Sequence, residues 1–312
     1  MIKTINNNIH IVMYHYVRNI KKSKYPNLKG LEFSDFRKQI FYLKKNFNIL
    51  SNNQFIEILN SRKIPKKKSI LLTFDDGYRD HFEYVFPFLK KQDVPAVFYP
   101  PIMCVRNKAV LDVNKIHFIL AKEENRDKIL DLIFLYVKKI LNKNPQQIGI
   151  EKINLLSRYD DKKTILIKRL LQHHLPLPYR KKIVDKIFKH IVNYSEEEFS
   201  KILYMNKNNI QELYRNNFSI GSHGYNHYWW EKINKNEQEM EIKKSINYFK
   251  KIKVFDKNFS VCYPYGSYNL QTLNLLKKYK IKFALTTRVG SINIRNIKKV
   301  YELPRFDTND FK

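Results

Sequence analysis

The chain is 312 residues long, 43% hydrophobic and 28% charged, with a formal net charge of +30. This size and apolar content fit one large domain or two small ones with a substantial core, and exclude a chain too polar to fold. With only two cysteines, Cys104 and Cys262, a disulfide framework is not indicated and a reducing compartment is expected.

The basic excess is spread along the chain and is mostly lysine. It fits a solvated basic surface, and its functional reading is attraction to polyanions or peripheral contact with an anionic membrane. No zinc-finger spacing, RNA-recognition signature or basic zipper occurs, so nucleic acid is not an expected partner. The opening segment MIKTINNNIHIVMYHYV lacks the apolar run and cleavage site of a secretory signal, and no window reaches the ~18 consecutive apolar residues of a membrane span. A cytoplasmic location is expected, with the inner membrane face as its periphery.

Taken in chain order, IHIVMYHYV (9–17) is rich in β-branched and aromatic residues and predicts a strand. SDFRKQIFYLKKNF (34–47) has helical spacing with Ser34 as N-cap, and NNQFIEILNSR (52–62) predicts a second helix. SILLTF (69–74) is a continuous apolar run, the pattern of a strand buried on both faces. HFEYVFPFLKKQ (81–92) predicts a helix that Pro87 kinks or restarts, and PAVFYP (95–100) a further strand. Residues 106–195 break the rhythm with four helical patterns and read as a helical insertion. Within it, His173 and His174 are expected in a loop, and Ser195 with Glu198 forms a capping-box pattern. Alternation then resumes: NIQELYRNN as helix, FSIGSH as strand, NEQEMEIKKSINYFKKI as helix, FSVCYPYG as strand, NLQTLNLLKKYK as helix, KFALTTRV and YELPRFD as strands. Repeated strand–helix units predict an α/β fold with a parallel sheet. About seven strands predict a closed or nearly closed (β/α) barrel, with chemistry at the C-terminal strand ends.

Two polar sites stand at such ends. LLTFDDGYRD (71–80) puts Asp75 and Asp76 past an apolar strand, where adjacent carboxylates repel and lose hydration. Alone, the pair reads as a cap for the Asp-Gly turn and the following helix. SHGYNH (222–227) carries His223 and His227, which can share a metal when the backbone turns helically between them; alone, such a pair reads as incidental. Both sites should open on one face of the barrel. One carboxylate and two imidazoles then make a three-ligand site with room for water or substrate.

TFDDGY, SHGYNH and YPYGSYN (263–269), in this order, resemble the three motifs of the polysaccharide deacetylase family, the NodB-homology group or carbohydrate esterase family 4. The resemblance covers about 1–104 and 200–312. It implies a distorted NodB-like (β/α) barrel, a single catalytic domain over 1–312 with 106–195 as an unexplained insertion. It also implies one divalent metal ion, zinc by expectation, on Asp76, His223 and His227, with Asp75 as general base and the Tyr265 N–H at the oxyanion. There are departures. Cys262 stands where many members carry an arginine that pairs with the catalytic aspartate, and Arg305 in ELPRFD is the candidate substitute. The late Leu-x-His motif that supplies the general acid is missing, since no histidine follows His227. His15, in VMYHYV, is the candidate acid, as in members with a similar Met-Tyr-His segment.

The expected function is metal-dependent removal of an N-acetyl or other N-acyl group from an amino sugar. The carbohydrate substrate would be a glycan or a lipid- or nucleotide-linked precursor in cell-surface polysaccharide biosynthesis. Alternatives are an amidohydrolase acting on formamides or cyclic imides, and a non-catalytic glycan- or polyanion-binding protein.

Overall fold

The computed structural model describes residues 8–106, 109–157, 160–297 and 299–311; residues 1–7 of the opening segment lie outside them. Contacts gather the chain into two units, one of Met1–Arg18, Gly30–Lys108 and Lys201–Lys312, the other of Asn19–Lys29 and Ala109–Ser200.

In the first unit the chain runs through β1 (Asn8–Tyr14), β2 (Val17–Arg18), β3 (Leu31–Glu32), α1 (Phe33–Asn46), β4 (Asn48–Leu50), α2 (Asn52–Ser61) and β5 (Ser69–Asp75). A single π-helical turn, His81–Val85, leads into α3 (Phe86–Lys91), followed by β6 (Val97–Tyr99) and α4 (Ile102–Val105). In α1, Phe36, Ile40 and Leu43 fall on one face and are buried. Its N-cap is Glu32, not Ser34, because the helix starts one residue before the serine. Ser51 and Gln54 form a capping box at α2 that the sequence reading did not single out. Pro87 sits in the first turn of α3, where its missing N–H costs nothing, so the helix restarts there.

The second unit is helical: α5 (Asp112–Lys122), α6 (Arg126–Leu141), α7 (Lys162–Arg169) and α8 (Leu177–Val192) lie in it, and α9 (Glu196–Leu203) begins in it. His173 and His174 belong to a π-helical turn that prolongs α7, Leu170–His174, rather than to a loop. The Ser195–Glu198 capping box forms, with Glu198 N–H donating to Ser195 Oγ (3.2 Å) and Ser195 N–H donating to Glu198 Oε2 (3.0 Å). Tyr25 packs edge-on against Phe118 and Phe199, so 19–29 joins this unit, which nothing local in the sequence signals.

The chain continues through α10 (Lys207–Arg215), β7 (Ser219–Ile220), α11 (Lys235–Lys251), β8 (Val261–Cys262), α12 (Leu270–Lys278), β9 (Ala284–Leu285), β10 (Ile292–Asn293) and β11 (Phe306–Asp307). The fold is α/β with a parallel sheet. β5 pairs in parallel with β1 and β6 and is buried along its whole length, as its unbroken apolar run requires. β6 pairs with β7, β8 with β9, and β11 with β1, all parallel. Single parallel bridges, Ser222↔Val261 and Leu285↔Leu303, stand at the two seams. The distortion of the barrel lies there, in two-residue strands joined by one bridge each. β10 runs antiparallel to the start of β1.

Alternation along the strands sorts the core. Val12, Ile70, Leu72, Phe74, Phe98 and Val261 pack with the helices, among them Phe36, Leu89, Ile210 and Ile246. Ile9, Ile11, Leu71, Val97, Tyr99, Cys262 and Leu285 pack with one another and with α2. Thr73 and Asp75 share the parity of Leu71 and continue this inner face at the C-terminal end of β5. No helix of the described residues is long and apolar enough to cross a membrane.

Candidate metal and catalytic site

Asp75 is the last residue of β5 and Asp76 the first beyond it, so only one of the pair lies past the strand end. Asp76 and Gly77 both adopt left-handed backbone, φ 66° and 65°. At Gly77 a Cβ would meet Pro100 Cβ at 2.6 Å, so only glycine fits. Beyond this turn the two carboxylates take different partners, Asp75 an arginine and Asp76 two histidines.

Asp76 faces the histidines. Its Oδ1 lies 3.4 Å from His223 Nε2 and 3.5 Å from His227 Nε2, and the two nitrogens are 3.2 Å apart. The backbone from His223 to His227 is a loop rather than a helical turn, with φ of 77° at Gly224 and 61° at His227. Glu241 of α11 braces it, accepting from the N–H groups of Tyr225 (2.8 Å) and Asn226 (2.9 Å) and from the Asn226 side chain (2.6 Å). His223 Nδ1 lies 2.8 Å from the Cys262 carbonyl, which can only accept, so Nδ1 donates there. Against burial, the surrounding acidic groups, Cys262, Asp76 and Asp75, raise the His223 pKa, and Nε2 donates to Asp76 Oδ1, a proton that a bound cation would displace. Tyr78 donates its hydroxyl to Asp76 Oδ2 at 2.5 Å and leaves Oδ1 toward the imidazoles.

Burial opposes charge on all three groups. The His223 hydrogen bond and the neighbouring imidazoles nevertheless hold Asp76 well below the usual carboxylate range. Burial and the adjacent His223 push His227 down to about 3. One carboxylate oxygen and two imidazole nitrogens thus converge within 4.8 Å, all buried. This donor set, with Nε2 atoms facing each other and no proton acceptor to spare, fits a divalent ion of the zinc type. Asp75, His223 and Cys262 also fall within 4.8 Å. There the Arg305 guanidinium already lies 2.8 Å from Asp75 Oδ2 and 3.0 Å from Cys262 Sγ, which disfavours a cation.

Asp75 faces Arg305, which is 1% exposed. Arg305 places two hydrogen bonds on the carboxylate (2.9 and 2.8 Å) and spends its other donors on Thr73 Oγ1 (3.2 Å), the Thr286 carbonyl (2.9 Å) and Cys262 Sγ (3.0 Å). The Cys262 thiol donates in turn to Asp75 Oδ2 at 3.3 Å. Burial works to raise the Asp75 pKa, but Arg305 and the His223 imidazole outweigh it and hold the group at about 2. His15 lies just past the end of β1, with Nε2 4.0 Å from Asp75 Oδ2 and its side chain 40% exposed. Tyr265 sits in the turn Pro264–Gly266 with φ 57°, its ring stacked on Trp229 (4.4 Å) and edge-on to His227 (4.7 Å).

The structure therefore brings together Asp75, Asp76, His223, His227, His15, Arg305 and Tyr265. Two supporting residues escaped the sequence reading. Tyr78 lies inside the quoted motif but carried no separate signal. Glu241 carried a faint one, a carboxylate three residues after Gln238 and four before Ser245 on the face of the amphipathic helix that the structure buries.

Comparisons with known proteins agree with the motifs. The sequence model of the family described as polysaccharide deacetylase matches residues 62–102 and 182–284. The Bacillus subtilis (strain 168) protein YxkH, named for polysaccharide deacetylation, is 29% identical over 90 residues, 28% of this chain and 30% of that protein, so the match spans under a third of either. Among solved structures, IcaB from Ammonifex degensii superposes with a TM-score of 0.56 at 15% identity, over 96% of this chain and 92% of that one. A de-N-acetylase from Aggregatibacter actinomycetemcomitans gives 0.55 at 15% identity, over 96% and 94%. At such identities the likeness of the structures is one of fold. The family resemblance read from the three motifs is borne out.

Proposed function

We propose that this relative of the polysaccharide deacetylases is a hydrolase that removes an acyl group, N-acetyl in the first place, from an amino sugar. The substrate is a glycan or a lipid- or nucleotide-linked precursor used in building cell-surface polysaccharide, and the enzyme works in the cytoplasm or at its membrane face. One catalytic domain over 1–312, carrying 106–195 as an insertion, is part of this reading. A single observation carries it: two adjacent carboxylates are turned to different tasks, Asp76 toward two histidines and Asp75 toward a buried arginine beside His15.

Asp76, His223 and His227 would hold one divalent cation, zinc by the donor set. Bound there, it would polarise the acyl carbonyl and make water more acidic. Asp75, ionised throughout the working range because Arg305 holds it low, orients the attacking water and accepts its proton on Oδ2. A carboxylate held at about 2 keeps such a proton poorly. His15 Nε2, 4.0 Å from the same oxygen, is the nearest exposed group able to carry it. His15 delivers a proton to the amide nitrogen as the C–N bond breaks, so the amine leaves neutral and the carboxylic acid keeps the water's oxygen. The Tyr265 N–H is assigned to the developing oxyanion. Arg305 and Cys262 touch no substrate in this scheme; they position Asp75.

The test is a metal-replete panel of N-acetyl and N-formyl amino sugars and cyclic imides, read by released acid. Acetate release that stops on chelation is expected. Turnover of formamides or imides alone, or none at all, would overturn the assignment.

A further inference from the structure

His81 lies outside the machinery described so far, yet it touches it. It opens the π-helical turn six residues after Asp75 and is completely buried. Its Nε2 lies 2.7 Å from the main-chain carbonyl of His15. A carbonyl can only accept, so His81 is the Nε2–H tautomer and donates. The ring is boxed by Phe74 (5.3 Å), Tyr78 (5.5 Å) and Phe98 (5.9 Å). Its Nδ1 is buried and has no hydrogen-bond partner among the described residues.

That combination is hard to explain as packing alone. In a cage of aromatic rings, an apolar side chain of similar volume would fill the space without burying a lone pair that nothing satisfies. What a histidine adds there is one donor, and the donor goes to His15. The recipient needs it: β1 ends at Tyr14 and the next strand begins at Val17, so the His15 carbonyl falls in the gap between two ladders. The His15 side chain is 40% exposed, and its nearest charged partner is Asp75 Oδ2 at 4.0 Å, which is too long to fix the ring by itself.

We propose that His81 is a positioning residue. By holding the His15 carbonyl from behind, it fixes the backbone of the gap so that the His15 imidazole stands beside Asp75. The segment Asp75–His81 then controls both ends of the proton path, Asp75 through its carboxylate and His15 through the His81 imidazole six residues further on. Burial keeps His81 neutral, at about 4, so the donor is present in the same form across the working range.

The inference rests on the reading of His15 as proton donor, and the experiment separates the two. Turnover of an N-acetyl amino sugar and of the O-acetyl ester of the same sugar is measured for His81→Leu, His81→Gln, His15→Ala and the His15→Ala/His81→Leu double variant, with metal content and melting temperature alongside. His81→Leu should lower kcat on the amide by about 10²-fold, the scale of a misplacement of around 1 Å, with KM and metal content little changed and the ester less affected. His81→Gln, whose amide nitrogen reaches where Nε2 stood, should recover most of the loss. In the His15→Ala background, His81→Leu should cost nothing more. Equal losses in both backgrounds would overturn the positioning role alone. No effect of His15→Ala on amide turnover would overturn the reading of His15 and this inference with it. If His81→Leu does not fold, His81→Asn, too short to reach the carbonyl, takes its place in the same comparison.

Discussion

The Arg305 guanidinium grips the Asp75 carboxylate through two parallel hydrogen bonds of 2.9 and 2.8 Å, with both side chains buried. Its remaining donors are all used, so the pair carries no unsatisfied charge of the kind that makes buried ions costly. The two residues are 230 positions apart. Barrel geometry alone makes them neighbours: β11 pairs with β1 and β1 with β5, so the segment before β11 reaches the end of β5 from across the inner face.

Arg305→Ala should leave a buried carboxylate without its partner and destabilise the protein by about 3–5 kcal/mol, read by urea unfolding. Arg305→Lys should recover only part, because an ammonium cannot make the paired contact. If Arg305→Ala unfolds like the parent, the pair contributes nothing to stability.

The same pair sets an acid limb of stability. The Asp75 pKa is lowered from 3.8 to about 2 on folding, so the ionised carboxylate favours the folded state. That contribution is complete above the unfolded value and is lost as pH falls from about 4 through about 2, amounting to roughly 2 kcal/mol. Asp75→Asn should lack this limb. Unfolding midpoints that fall in parallel for parent and variant across that window would contradict the assignment.

The two aspartates should separate in function. Asp75→Asn should keep bound metal and lose turnover by ~10²–10⁴-fold, the usual worth of a general base. Asp76→Asn should instead weaken the metal, measured by titration into apoprotein. Equal metal affinities in the two variants would mean that the division of labour is wrong.

His223→Ala and His227→Ala should each lower metal content and activity together, since each removes one of three ligands. Elemental analysis after dialysis is the measurement, and full occupancy in both variants sinks the triad. Glu241→Gln, which keeps an acceptor beside the His223–His227 loop but loses its charge, should have a smaller effect in the same direction.

His15→Ala should leave metal content and fold intact and slow amide hydrolysis far more than hydrolysis of an ester of the same sugar. An alkoxide leaves more readily than an unprotonated amine, so the ester depends less on the acid. Equal losses on both substrates would return His15 to a structural role.

Features that depend on local pattern were legible in the sequence before folding was considered. Continuous burial of SILLTF, the helical faces, the Ser195–Glu198 capping box and the three motifs could all be read in short windows, because strand and helix periodicity and turn chemistry act over a few residues. The sequence also pointed to Asp75, Asp76, His223 and His227, through the placement of charged and imidazole groups at strand ends. How those residues are used follows from the folded chain. The left-handed turn at Asp76 and Gly77 gives adjacent carboxylates different partners, and the loop with Gly224 and His227 in left-handed backbone brings two imidazoles together without a helical turn. Arg305, Glu241 and His81 each reach the site from a distant element, over separations of 230, 16 and 66 positions. Such contacts depend on which strands lie side by side and which face of a helix is covered, and no local window carries that information.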